Sequence, residues 1–236
     1  MVRVYQASDV GNVRSVNEDS LAVSERVYVI ADGMGGHAAG EVASRLLVET
    51  VTDYLARLDG IDEHILSAAV AKANEVILTR AGQHPDYKNM GTTATLLHLD
   101  DNGNAFWAHV GDSRLYLFCK GELRQITRDH SYVEELVESG SITQEEAQRH
   151  PRKNLLTRAV GVQKKVKVDA GKFVTAPQDI FLLCTDGLTN MVSETDVKEI
   201  LSRPVAANPA QELIESALRA GGLDNVSAIV VMNDER

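Results

Sequence analysis

The stretch Thr93–Cys119 reads TATLLHLDDNGNAFWAHVGDSRLYLFC. It holds three apolar runs of strand length, Thr93–Leu99, Ala105–Val110 and Leu115–Cys119, separated by polar, turn-forming residues. Short apolar runs bounded by such residues predict buried strands. Asp101-Asn102-Gly103-Asn104, and Lys120-Gly121-Glu122 just beyond the stretch, supply turn chemistry that predicts antiparallel hairpins. Similar runs at Val27–Ala31, Val166–Val168, Ile180–Cys184 and Val226–Met232 predict further strands. Helical periodicity covers Glu41–Leu58, Glu63–Ala81 and Pro209–Ala220, the last stopping at Gly221-Gly222. Strand and helix do not alternate regularly, so the pattern predicts an α+β layered fold and not a parallel doubly wound sheet.

From Ser131 to Arg158 the chain is polar and helical, with mixed charges and Pro151 near its end. Too poor in apolar residues to be core, it is expected to form a small subdomain on the surface. There is no internal repeat, low-complexity tract or linker, so residues 1–236 are expected to form one domain carrying that subdomain.

The net charge of -10, with no basic run, argues against a nucleic-acid partner. It also means that a site for anionic phosphates needs its own local cation. Cys119 and Cys184 lie in apolar runs and are expected to be buried thiols, which suits a reducing cytoplasm. The apolar runs are too short to span a bilayer and no signal peptide is visible. A cytoplasmic chain without membrane association is therefore expected.

Acidic residues recur at strand ends: Asp32 after Ile30-Ala31, Asp186 after Cys184-Thr185, Asp224 before Val226, and Asp112 between two strand runs. Taken singly, Asp32-Gly33 and Asp186-Gly187 read as tight hairpin turns. Against this, neither pair leads into an immediate return strand, and carboxylates at strand ends of one sheet converge on one edge. Crowded carboxylates need a cation, and magnesium or manganese suits carboxylate and water ligands. Glu18 and Asp19 add acidity, while Arg14 supplies a guanidinium able to hold two phosphate oxygens at once.

Six segments in order carry a family resemblance: R-x-x-N-E-D at Arg14–Asp19, A-D-G-M-G-G-H-A-A-G at Ala31–Gly40, G-T-T-A at Gly91–Ala94, V-G-D-S-R at Val110–Arg114, T-D-G-L-T at Thr185–Thr189 and D-N-V-S at Asp224–Ser227. Spanning nearly the whole chain, they resemble the type 2C metal-dependent protein serine/threonine phosphatases of bacterial kind. The resemblance implies a four-layer α-β-β-α sandwich, two stacked antiparallel sheets with helices on both outer faces, and a small helical flap matching residues 131–158. It implies two Mn2+ or Mg2+ ions, with Asp32 bridging them and the Gly33 carbonyl on one. Asp186 and Asp224 are implied as ligands of the other ion, with Glu18 and Asp19 close by, partly through water. Asp112 matches a position that helps to hold a third, weaker ion, and Arg14 is implied to bind the substrate phosphate.

The activity implied is hydrolysis of phosphoserine and phosphothreonine in proteins by a water activated between two ions, within kinase-dependent signalling. The implied partners are phosphorylated proteins made by a serine/threonine kinase, and a monomer is expected. The chain ends just after its last strand run, so no receptor, kinase or regulatory domain is expected. Cysteine-phosphatase chemistry is not indicated, since the sixth residue after Cys119 is Gln125 and after Cys184 is Asn190. His37 has two readings, a proton donor to the leaving oxygen or a substrate contact. Gly35-Gly36 likewise reads as a phosphate cradle or as close backbone packing. His109 reads as a hydrogen-bonded core residue, and Trp107, Tyr116 and Phe118 as packing. The rivals are a regulatory phosphoprotein-binding member with little activity, which would require a lost ligand, and a structural metal-binding domain, which would not need Arg14.

Overall fold

The computed structural model describes residues 2–24, 26–35, 39–58, 60–203 and 208–234. Two antiparallel sheets are stacked face to face. One runs in the order β1 (Val2–Asp9), β11 (Val226–Asn233), β10 (Ile180–Cys184), β7 (Arg114–Cys119), β8 (Glu122–Gln125). The other runs β2 (Asp19–Ser24), β3 (Val27–Met34), β5 (Ala94–Leu99), β6 (Asn104–Val110), β9 (Asp169–Val174), with the short β4 (Gly91–Thr92) on the end of β3. Neither sheet closes into a barrel. The hairpins expected at residues 101–104 and 120–122 are present as β5–β6 and β7–β8.

Strand alternation explains the layering. On β3, Tyr28 and Ile30 point between the sheets and meet Leu97, Leu115, Phe181, Leu183, Ile229 and Val231. Val27, Val29 and Ala31 point outward onto α1 (Ala39–Leu55) and α2 (Glu63–Gln83). On β10, Leu182 and Cys184 likewise face outward, onto α5 (Asp186–Thr189), α6 (Glu194–Ser202) and α7 (Pro209–Arg219). Strands buried on both faces read as continuous apolar runs, which is why these were visible in the sequence. The result is the α-β-β-α sandwich. No helix among the described residues is long and apolar enough to cross a membrane.

The strand expected at Val166–Val168 forms three residues later. Val166 and Val168 pack half-buried against the outer core, and the edge strand pairing with β6 is Asp169–Val174. Its sequence DAGKFV lacks an apolar run, because an edge strand has one solvated face. Strand β1 was unread because polar residues break up VRVYQASD: Val2 and Val4 pack half-buried between the sheets, and Tyr5 and Ala7 half-buried against the outer core. Cys184 is buried as expected, whereas Cys119 is only half-buried.

Within the 131–158 segment, Ser131 caps α3 (Tyr132–Glu138) and a Thr143–Glu146 capping box opens α4 (Gln144–Gln148). Val133 and Ala147 are its buried apolar residues. Its two ends are tied together by bridge pairing of Ser131 with Leu156.

Candidate metal centre

Six acidic side chains gather at the end of the sandwich where β2, β3, β10 and β11 start or stop. Asp19 is the first residue of β2 and lies opposite Asp32 of β3 in the antiparallel register. The backbone of Asp32 is clamped from the neighbouring strand: its N–H donates to Thr93 Oγ1 (2.8 Å), and its carbonyl accepts from Thr92 Oγ1 (2.9 Å) and the Thr93 N–H (2.9 Å). Asp186 opens α5 directly after β10. Asp112 sits in the turn between β6 and β7, and Asp224 two residues before β11.

Neither Asp-Gly pair is a hairpin turn. Gly33 lies within β3, where a Cβ would come 2.2 Å from the Gly40 carbonyl oxygen. Gly187 lies in α5, where a Cβ would come 1.9 Å from the Asn225 carbonyl oxygen. Both glycines permit close backbone approach beside the acids.

Asn225 organises the N-terminal arm of the site. Its amide donates to the carbonyls of Val10 and Val16, both at 2.9 Å, and its Oδ1 accepts from the Glu18 N–H at 2.9 Å. The Asn12 N–H donates to the Gly222 carbonyl at 2.7 Å. The arm is thereby laid along residues 221–225, and Arg14 Nη2 donates to Asp224 Oδ2 at 2.8 Å. Arg14 itself is exposed at the rim. The Glu18 carboxylate reaches the Gly40 backbone at the start of α1, with Arg14 and Asp224 nearby.

The electrostatics are those of crowded acid. Burial, followed by Asp19, Asp186, Asp112 and Asp224, pushes the Asp32 carboxyl well above the carboxylate range. Asp112 is raised by burial and by Asp186. Asp186 is raised by burial and by Asp224, and its carboxyl is within hydrogen-bonding reach of Asp32. Such a bond requires one of the two to hold a proton when no cation is present. Asp19 is pushed up to about 7, first by burial, with hydrogen bonds from Ser227 and Thr185 opposing. Both donate to Asp19 Oδ2, at 2.7 and 2.9 Å. The other oxygen, Asp19 Oδ1, is buried and has no partner.

Among the described residues, no three His, Cys, Asp or Glu side chains form a ready-made cage around one point. That agrees with the donor chemistry. Like-charged carboxylates hold apart, and magnesium-type sites use few protein ligands and keep several waters. Hard oxygen donors, raised carboxyls and an orphaned buried carboxylate oxygen fit small divalent cations.

All the expected acids are thus brought to one end of the sandwich with Arg14. His37 and Gly36 lie outside the described residues. His109 is fully buried on β6, bonded to Thr95 Oγ1 and the Arg128 carbonyl, as expected of a core histidine. Sequence reasoning did not assign roles to Thr93, Thr185, Asn225 and Ser227, which hold the acids in place. Each stood inside a quoted motif, but only the folded chain shows what each one bonds. A cleft of about 790 Å³ leads away from Asp112 and Asp186, between the 131–158 segment and α5–α6, past Val133, Arg149, Lys153 and Met191.

Comparison with known proteins agrees with this site. The chain is 41% identical over 239 residues to the serine/threonine protein phosphatase PstP of Mycobacterium tuberculosis, covering 98% of this chain and 45% of that protein. It is 40% identical over 238 residues to the serine/threonine phosphatase stp of Listeria monocytogenes, covering 96% of this chain and 94% of that one. The chain thus spans about half the length of the mycobacterial protein and nearly all of the Listeria protein. A crystal structure of the PstP catalytic domain in complex with two manganese ions superposes with a TM-score of 0.90 at 40% identity, covering 98% of this chain and 97% of that one. A family profile described as Protein phosphatase 2C matches residues 12–220, which include Arg14 and all the acids gathered here except Asp224. By fold, by site and by these likenesses, the chain belongs to the protein phosphatase 2C family.

Proposed function

We propose that this chain hydrolyses phosphoserine and phosphothreonine in proteins, with two manganese or magnesium ions held by the acids of the cleft. In this reading Asp32 and the Gly33 carbonyl stand between and beside the ions. Asp186 and Asp224 hold one of them, and Glu18 and Asp19 support the pair, partly through water. Asp112, next to Asp186, is assigned to a third, weaker ion. The observation that carries the reading is the crowding of Asp19, Asp32, Asp112 and Asp186, all with raised carboxyls, beside the exposed guanidinium of Arg14. Bound divalent ions supply a water of lowered pKa and offset the charge that grows on the phosphoryl group.

The chain's own groups do the rest. Arg14 is held on Asp224 at the rim, and its planar fork suits two oxygens of an incoming phosphate. Thr92 and Thr93 fix the backbone of Asp32, and Thr185 and Ser227 fix the carboxylate of Asp19, so the acids are aimed before substrate arrives. His37 is assigned to the substrate side, as proton donor or contact. The 131–158 segment is assigned to the flap within one catalytic domain. The reading extends to a monomeric, cytoplasmic enzyme acting on the products of a serine/threonine kinase. A regulatory member with little activity is the second reading, disfavoured because no expected acid is missing.

The test compares a phosphothreonine peptide with its phosphotyrosine counterpart, using the wild type, Asp32→Asn and Asp186→Asn. The phosphothreonine peptide is expected to be the better substrate. Each variant is expected to lose about a hundredfold or more in turnover, the scale on which removal of one charge-stabilising group acts in an active site. Preference for phosphotyrosine, or near wild-type turnover by either variant, would contradict the reading.

A further inference from the structure

Asp186 and Asn190 are four residues apart in and at the end of α5, so their side chains lie on one face. Asn190 Nδ2 donates to Asp186 Oδ2 at 2.9 Å. The Asn190 Oδ1 accepts from Lys153 Nζ at 3.2 Å. Lys153 belongs to the other wall of the cleft, in the 131–158 segment beyond α4. An ammonium can only donate and a carboxylate can only accept, so the two neighbours fix which way the amide points. The amide is the direct hydrogen-bonded link from this lysine, across the cleft, to a proposed metal ligand. Asn190 is exposed and Lys153 half-buried, so neither is part of the hydrophobic core.

We propose that Asn190 is a positioning residue for Asp186, and that Lys153, by docking on Asn190, couples the flap to ion binding. The proposal rests on the reading of Asp186 as a metal ligand. A hydrogen bond to one oxygen of a ligating carboxylate sets the plane of the group and leaves the other oxygen for the ion, and such outer partners matter to affinity. Lys153 holds the amide in its donating orientation and polarises it. Coupling of two binding events is reciprocal: if the docked flap tightens ion binding, the bound ion tightens flap docking by the same factor. Lys153 lines the cleft, so a phosphoprotein bound there can act on the metal centre through the same contact.

The experiment titrates Mn2+ into the metal-free full chain by calorimetry, and measures hydrogen exchange of residues 131–158 with and without the ion. Asn190→Leu keeps the side chain's shape without its hydrogen bonds and is expected to weaken Mn2+ binding about 10- to 100-fold. Lys153→Met is expected to weaken it by about two- to tenfold, the worth of one hydrogen bond, with Lys153→Arg restoring most of the loss. Lys153→Met should add nothing in the Asn190→Leu background, since both act through one amide. Mn2+ should slow exchange in the 131–158 segment of the wild type, and not in Asn190→Leu or Lys153→Met. Asp186→Asn separates the two levels of the argument. If Asp186→Asn binds Mn2+ like the wild type, the metal reading itself fails. If Asp186→Asn loses affinity while Asn190→Leu does not, or if the Asn190 and Lys153 effects simply add, the coupling is overturned and the metal reading stands.

Discussion

Asp19 and Asp32 stand directly opposite one another across the β2–β3 pair. Like charges in that position destabilise a sheet. Here the pair is also half-buried, and Thr185 and Ser227 spend two hydroxyls on a single oxygen of Asp19. The other oxygen has no partner among the protein's own groups. The proposed cations would offset this pair, and the metal-free chain carries the cost of their repulsion.

That cost has a pH signature. Asp19 is held up at about 7, and Asp32, Asp112 and Asp186 are raised as well. Between about pH 4, the ordinary carboxylate value, and pH 7, these four acids bind more protons in the folded metal-free chain than in the unfolded one. Their contribution to stability therefore rises as pH falls through 7. The buried His109 and the lowered His98 and His130 oppose this below about pH 6.5 but are outnumbered by the raised acids, and acids held low, such as Asp100 and Asp169, oppose it only below about pH 4. Calorimetric melting of the metal-free protein should show a higher midpoint at pH 5.5 than at pH 8, by about 2–4 °C for each kcal/mol gained. With saturating Mn2+ the trend should reverse, because ion binding needs the carboxylates deprotonated.

Arg14→Ala should raise the KM for phosphopeptides more than it lowers kcat, the pattern of a contact made in both ground and transition states. Arg14→Lys should recover part of the loss, since a lysine cannot reproduce the two-pronged contact. Steady-state kinetics with both variants check this. An unchanged KM for Arg14→Ala would remove Arg14 from the phosphate site.

Much of this was legible before the fold was known, for identifiable reasons. Strands buried on both faces, such as Ile180–Cys184, wrote themselves as unbroken apolar runs. The acids stood out because each interrupts such a run at its end. Edge strands did not, since Asp169–Val174 covers only alternate side chains and Val2–Asp9 buries none of its side chains fully. The groups that aim the acids were illegible too. Nothing in the spacing says that Ser227 and Thr185 reach one carboxylate 166 or more residues away in the chain, or that Lys153 meets Asn190.

The 131–158 segment should govern which phosphoproteins are accepted without carrying the chemistry. Glu145, Arg149 and Arg152 are exposed on it, and surface segments on a rigid scaffold are where recognition varies. Substitutions at these three positions should shift kcat/KM on phosphopeptides while leaving p-nitrophenyl phosphate hydrolysis nearly unchanged. The ratio of the two constants, variant by variant, is the check. A parallel fall in both would mean that these side chains support the metal site itself.

If the acids of this cleft work by holding divalent cations, hydrolysis of p-nitrophenyl phosphate by the chelated and the metal-loaded protein must differ. No turnover is expected after exhaustive chelation, with recovery on adding Mn2+ or Mg2+ to the wild type but not to Asp32→Asn. Turnover that survived chelation, or recovery of Asp32→Asn to the wild-type rate, would contradict that role for the acids.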